Sequence, residues 1–108
     1  MAEITLDQFK QIELRTAKIL EAHEIPGADR IWRLLIDVGT EQKQIVAGVK
    51  AFYAATDLVG KTVVVVNNLA PSTIRGVESK GMLLAAKDGT LMSIVSPDKD
   101  LPAGSSVG

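Results

Sequence analysis

Hydrophobic and polar positions change period several times along the chain, and each change marks an element. Leu6, Phe9 and Ile12 recur at helical spacing, and Thr5 with Gln8 has the spacing of a capping box. A short helix is therefore predicted over Thr5 to Gln11, placed to plug one end of a barrel. From Glu13 the pattern turns β-like. Leu14 to Ile25 exceeds an average strand of about 5–6 residues, and the apolar parity slips near Ile19-Leu20, which predicts one bent strand carrying a bulge there.

Pro26-Gly27-Ala28-Asp29 has turn chemistry, after which Trp32, Leu34, Ile36 and Val38 alternate with Arg33, Leu35 and Asp37 to give the clearest strand. A turn at Gly39 leads into a second strand, Lys43 to Val49, and the two form a hairpin that bends at Gly48. Thr56 to Val59 predicts one helical turn ending at Gly60. Lys61 to Asn68 holds four consecutive valines, the mark of a strand buried on both faces. The polar stretch Pro71 to Gly81 reads as a long loop, Met82 to Ala86 as a strand, Asp88-Gly89 as a hairpin turn and Leu91 to Val95 as the closing strand. Ser96 to Gly108 reads as a covering segment, a partner-contact arm or a flexible end. Short strands with turn signals, little helix and no βαβ alternation predict an all-β chain folded as a small antiparallel barrel.

The length of 108 residues fits one domain, with the barrel over about residues 12–95 and an extension over 96–108. Apolar residues at 46% suffice for a core. Lys and Arg number 12 against 13 Asp and Glu, so the chain is no polycation and any nucleic-acid face must come from segregated charge. Met1 to Phe9 carries Glu3 and Asp7 but no Lys or Arg, and no apolar run nears the roughly 20 residues of a membrane span, so a cytoplasmic protein without membrane association is expected. Cysteine is absent and His23 is the single histidine, lying between Glu21 and Glu24, which argues against a metal site. There is no phosphate-cradling glycine loop and no nucleophile elbow. Carboxylate pairs such as Asp98/Asp100 lie in solvated stretches, so neither catalytic residue nor cofactor is expected.

Several segments read together carry a resemblance: Ile12-Glu13-Leu14-Arg15-Thr16-Ala17-Lys18-Ile19, Gly27-Ala28-Asp29-Arg30, Gln44-Ile45-Val46-Ala47-Gly48, Leu58-Val59-Gly60-Lys61 and Arg75-Gly76-Val77-Glu78-Ser79-Lys80-Gly81-Met82. In this order, over almost the whole chain, they resemble the tRNA-binding domain found at the C-terminus of many bacterial methionyl-tRNA synthetases, as free-standing tRNA-binding proteins and in eukaryotic synthetase cofactors. The secretion chaperone CsaA is a more distant relative. The resemblance implies a five-stranded OB-fold barrel, a homodimer built through segments outside the barrel, tRNA as partner and association with an aminoacyl-tRNA synthetase catalytic chain. A CsaA-like chaperone that binds unfolded polypeptides is the alternative.

By the same resemblance, Asn68, Arg75, Ser79 and Met82 are the candidates for RNA contact. An exposed loop offers Asn and Ser hydrogen bonds to sugar and phosphate, and Arg75 can pair bidentately with a phosphate. Arg33 is expected to point outward, opposite Trp32 and Leu34, into a groove shared with Lys43, Lys61 and Lys80. Lys18, Arg30 and Lys50 read as solvated surface charges. Family members often carry Lys or Arg where this chain has Ala70, Ser72 and Thr73, and each missing phosphate contact flattens the salt dependence of binding by about 0.7–0.9 log units per log unit of salt. Trp32 shares the parity of core residues, leaving Phe52 and Tyr53 free to stack on bases, so folded RNA read by backbone and shape fits better than single-stranded DNA.

Overall fold

A computed structural model describes residues 2–108. Helix α1 (Leu6–Lys10) is capped by Thr5, whose hydroxyl accepts from the Gln8 N–H while the Gln8 side chain accepts from the Thr5 N–H, the reciprocal pair the spacing predicts. It does not plug the barrel. None of its residues is buried, and Leu6 and Ile12 stay exposed. A five-residue helix presents too little apolar surface to displace the barrel's own side chains from its mouth.

Strands β1 (Leu14–Glu24), β2 (Trp32–Asp37), β3 (Gln42–Ala47), β4 (Thr62–Val66) and β7 (Met82–Leu83) form an antiparallel sheet in the order β3-β2-β1-β4-β7. The register of β1 against β2 shifts between Ile19 and Glu21, so Leu20 is the bulged residue that lets one strand pair with β2 and β4 in turn. The sheet curls until β3 lies against β7, giving the expected OB-type half-barrel. Trp32, Leu34 and Ile36 are buried on one face of β2, and Val63, Val64 and Val65 are all buried on β4. With Ala17, Ile19, Ile45 and Ile94, all of these except Val64, which faces the other side of β4, form the main core, and Leu58 of helix α2 (Ala55–Leu58) packs into it. Truncating a fully buried Leu34 or Ile36 to Ala costs about 2–5 kcal/mol, which makes this core the dominant source of stability.

Pro71 to Gly81, expected as a loop, is instead a hairpin of β5 (Ser72–Ile74) and β6 (Val77–Ser79). Its two-residue turn has positive φ at both positions, 52° at Arg75 and 78° at Gly76, the geometry whose twist matches paired strands. Val77 fastens the hairpin to the outside of the sheet by packing on a second small core of Ile25, Ala28 and Val46. The strand expected over Met82 to Ala86 divides, β7 pairing with β4 and β8 (Ala85–Asp88) pairing with β9 (Leu91–Ile94) around a turn at Gly89.

The tail is a covering segment, not a loose end. β10 (Ser106–Val107) pairs with Leu14 and Arg15 of β1. Buried Thr16 holds it through four hydrogen bonds: its hydroxyl donates to the Pro102 carbonyl and accepts from the Ser105 N–H, while its backbone bonds Ser105 and Gly104. Gly39 and Gly104 permit the approach, since a Cβ on Gly104 would stand 2.5 Å from the Val38 carbonyl oxygen. No helix among the described residues is long and apolar enough to cross a membrane.

Candidate nucleic-acid interface

The curl of the sheet, which brings β3 near β7, gathers several candidate side chains at one end of the barrel. Lys43 lies opposite Ile36 on the inner face of the sheet, and its ammonium reaches the barrel mouth to donate to the Asn67 carbonyl at 2.8 Å. Asn68 follows, exposed, with its Nδ2 donating to the Gln11 carbonyl at 2.7 Å and its Oδ1 accepting from the Glu13 N–H at 2.8 Å. One side chain thus fixes the link between α1 and β1 to the end of β4, and keeps one N–H and one lone pair for a ligand. Met82 pairs with Val66 and is 46% exposed, an apolar side chain on the rim of a cleft of about 350 Å³ whose walls include Gly48, Leu84 and Met92.

Glu13 completes this end. Its carboxylate accepts from Asn67 Nδ2 at 3.0 Å and from Arg15 at 3.0 Å. These bonds, that from Asn67 first, hold its carboxyl below the usual glutamate range. The rim is therefore of mixed sign: Glu13 faces Arg15, and Glu78 lies 3.6 Å from Lys80.

Ser79 is not available as a ligand group. It is buried, its hydroxyl accepting from the Val46 N–H at 2.9 Å and donating to the Gly81 carbonyl at 3.1 Å. The residue expected to contact RNA is instead a structural one that ties β6 to β3. The shared groove expected for Arg33, Lys43, Lys61 and Lys80 is not formed either. Arg33 lies on the outer face of β2 opposite His23 and Val46, whereas Lys43 is on the inner face. Lys61 sits at the far end of β4, its ammonium 5.9 Å from the Tyr53 ring centre. Lys80 is exposed beside Gln44, to whose carbonyl its N–H donates. Strand parity places Arg33 outward as expected, but parity alone could not tell which strand turns its lysine inward at a barrel mouth.

Arg75, at the hairpin tip, is exposed and faces the β1–β2 turn. Phe52 is exposed, while Trp32 is buried with its indole N–H donating to the Tyr53 carbonyl at 2.9 Å and the Lys50 ammonium 4.9 Å from its ring centre. Tyr53 is half-buried and its hydroxyl accepts from the Ile94 N–H, so it too serves the fold. Among the described residues no group of His, Asp and Glu is placed to hold a metal ion.

Compared with known proteins, residues 14–106 match the family model described as "Putative tRNA binding domain". The chain belongs to this tRNA-binding domain family. Methionine–tRNA ligase of Thermotoga maritima is 47% identical over 104 residues, covering 96% of this chain, and that of Methanococcus aeolicus is 47% identical over 107 residues, covering 99%. The domain spans only 16% of either ligase. Among solved structures, the MetRS-related protein of Pyrococcus horikoshii superposes with a TM-score of 0.94 at 28% identity, covering 100% of both chains. The chaperone CsaA of Bacillus anthracis superposes with a TM-score of 0.90 at 28% identity, covering 99% of this chain and 100% of its own. In this tRNA-binding domain, the features that sequence reasoning missed are Glu13, whose carboxylate organises the rim by accepting from Asn67 and Arg15, and the docked hairpin that carries Arg75. The positive φ at Arg75 and Gly76 has a weak signal in the Arg-Gly pair flanked by Ile74 and Val77.

Proposed function

We infer that the domain is a non-catalytic tRNA-binding module. The observation that carries this is the family match over residues 14–106, joined to the full-length likeness to the MetRS-related protein. It corresponds to a small, non-catalytic share of methionine–tRNA ligases. In this reading it raises the local concentration of tRNA for a methionine–tRNA ligase, as part of the same chain or as an associated cytoplasmic subunit. The RNA-facing candidates are Asn68 and Met82 at the barrel mouth, Lys43 and Lys80 beside it, Arg33 on the outer face and Arg75 at the hairpin tip. Lys61, at the other end of β4, is the least connected of them.

A homodimer is part of the same proposal. Its support is the uncovered apolar side of α1, where Leu6 is 65% exposed, beside a cleft of about 580 Å³ that runs from Phe9 to Val107.

An electrophoretic mobility shift with purified tRNA at two salt concentrations tests the main reading. Saturable retention that weakens with salt is expected, and no retention at the lower salt overturns it. The second reading, a polypeptide-binding chaperone, is favoured by the CsaA likeness and by the apolar cleft at Met82 and Met92. Saturable peptide binding without tRNA retention would establish it instead.

A further inference from the structure

The hairpin tip and the β1–β2 turn enclose a cleft of about 260 Å³ on the outside of the barrel, away from the Asn68 and Met82 rim. Arg75 stands on one wall and Arg30 on the other, with Ala28, Ile31 and Ile74 between them. Both arginines are exposed, and among the described residues neither makes a salt bridge. The nearby cation Lys50 is engaged: it pairs with Glu24 at 3.1 Å, donates to the Ala28 carbonyl at 3.4 Å and covers the Trp32 ring. Asp29 also borders the cleft, so two guanidinium groups face one carboxylate and the site is net positive.

Arg75 is the one described non-glycine residue with positive φ. A left-handed conformation costs a side-chain-bearing residue about 1–2 kcal/mol, and Asn or Gly is the usual occupant of this turn position. An arginine held there at that cost, lining the same cleft as a second arginine with Ile31 and Ile74 beside them, has the form of a binding device.

We propose that this cleft is a phosphate-binding point for the RNA backbone, in which Arg30 and Arg75 grip one phosphodiester from opposite sides. The adjoining ribose lies against Ile31 and Ile74. Guanidinium groups match phosphate oxygens bidentately, and the apolar floor raises the strength of both bonds by keeping water from one side. The proposal rests on the tRNA-binding reading and adds Arg30, and a second contact region, to it.

The test compares wild type, Arg30→Gln, Arg75→Asn and the double variant by tRNA titration across a salt series, beside thermal melting and a titration with inorganic phosphate alone. Asn suits the turn, and the backbone carbonyl of Arg30 that receives the Lys50 N–H is untouched by Gln. Each single variant is expected to bind tRNA about three- to tenfold more weakly and to flatten the salt slope by about 0.7–0.9, with no fall in melting temperature. The double variant is expected to lose less than the product of the two, since the residues share one ligand. Wild-type affinity and slope in both single variants, with wild type binding tRNA, overturns the cleft and leaves the tRNA reading standing. Failure of wild type itself to bind tRNA overturns both. Saturable binding of inorganic phosphate with tRNA titrations unaltered by the substitutions marks a small-anion site and also overturns the proposal.

Discussion

The Val46 N–H donates to the Ser79 hydroxyl at 2.9 Å, so a side chain on β6 does for the edge of β3 what a neighbouring backbone carbonyl would do. The Lys80 N–H on the Gln44 carbonyl and the Gln44 side chain on the Glu78 carbonyl continue the same seam. Ser79→Ala leaves the buried Val46 N–H without a partner, a loss of about 1–3 kcal/mol. Urea denaturation will show it as a lower midpoint at constant slope. If Ser79 acted on RNA instead, the variant would melt like wild type.

The Arg75-Gly76 turn separates conformational from electrostatic effects. Arg75→Asn is expected to melt at or above the wild-type temperature, because Asn adopts positive φ more readily. Arg75→Val, β-branched at the same φ of 52°, is expected to lose about 1–2 kcal/mol. Thermal melts of the two side by side check this.

Much of the barrel was legible because one physical pattern fixed each part. Alternation over Trp32 to Asp37 reports a half-buried strand, the four valines a doubly buried one, and the parity slip at Leu20 a bulge. The β5–β6 hairpin was not, because Ser72 and Thr73 are polar and exposed and Val77 alone gives it an apolar anchor on the sheet, the rest of its attachment being hydrogen bonds. Thr16 and Ser79 were illegible for a different reason. Their hydroxyls are buried by partners 86 and 33 residues away, and nothing local in a Thr or Ser marks it as a substitute for backbone. The candidate site shared this limit: residue types were readable, but their assignment to the inside or outside of a curled sheet was settled only by register.

Glu13 ties acid sensitivity to the rim. Its folded carboxyl is held below the ordinary glutamate value of 4.5 by Asn67 and Arg15, so the stability it contributes is present above that unfolded value and is lost as pH falls through the lower folded one. Glu13→Gln is expected to flatten the acid limb of a stability-versus-pH curve measured by urea melts, and to leave its neutral limb parallel to wild type.

Ala70 follows the Asn68 clamp and is exposed, at a position that carries no charge here. Ala70→Lys is expected to tighten tRNA binding and steepen the salt slope by about 0.7–0.9 if one phosphate contact is gained. A filter-binding salt series measures both, and an unaltered slope would place the RNA away from this segment.

The uncovered side of α1 gives the last prediction. Leu6→Asp with Ile12→Asp is expected to convert a dimer to monomer in sedimentation velocity without shifting the melting of the barrel, since neither side chain is buried within one chain. A wild-type protein that already sediments as a monomer at roughly tens of micromolar would remove the dimer.

Pairing of Leu14 with Val107 has a consequence for the order of assembly. The first half of β1 cannot satisfy that edge until β10 returns to it from far along the domain, so closure is a long-range event that carries a loop-entropy cost. Until β10 docks, Thr16 presents an unmet hydroxyl and amide to solvent, and the half-barrel keeps one stretch of sheet edge open.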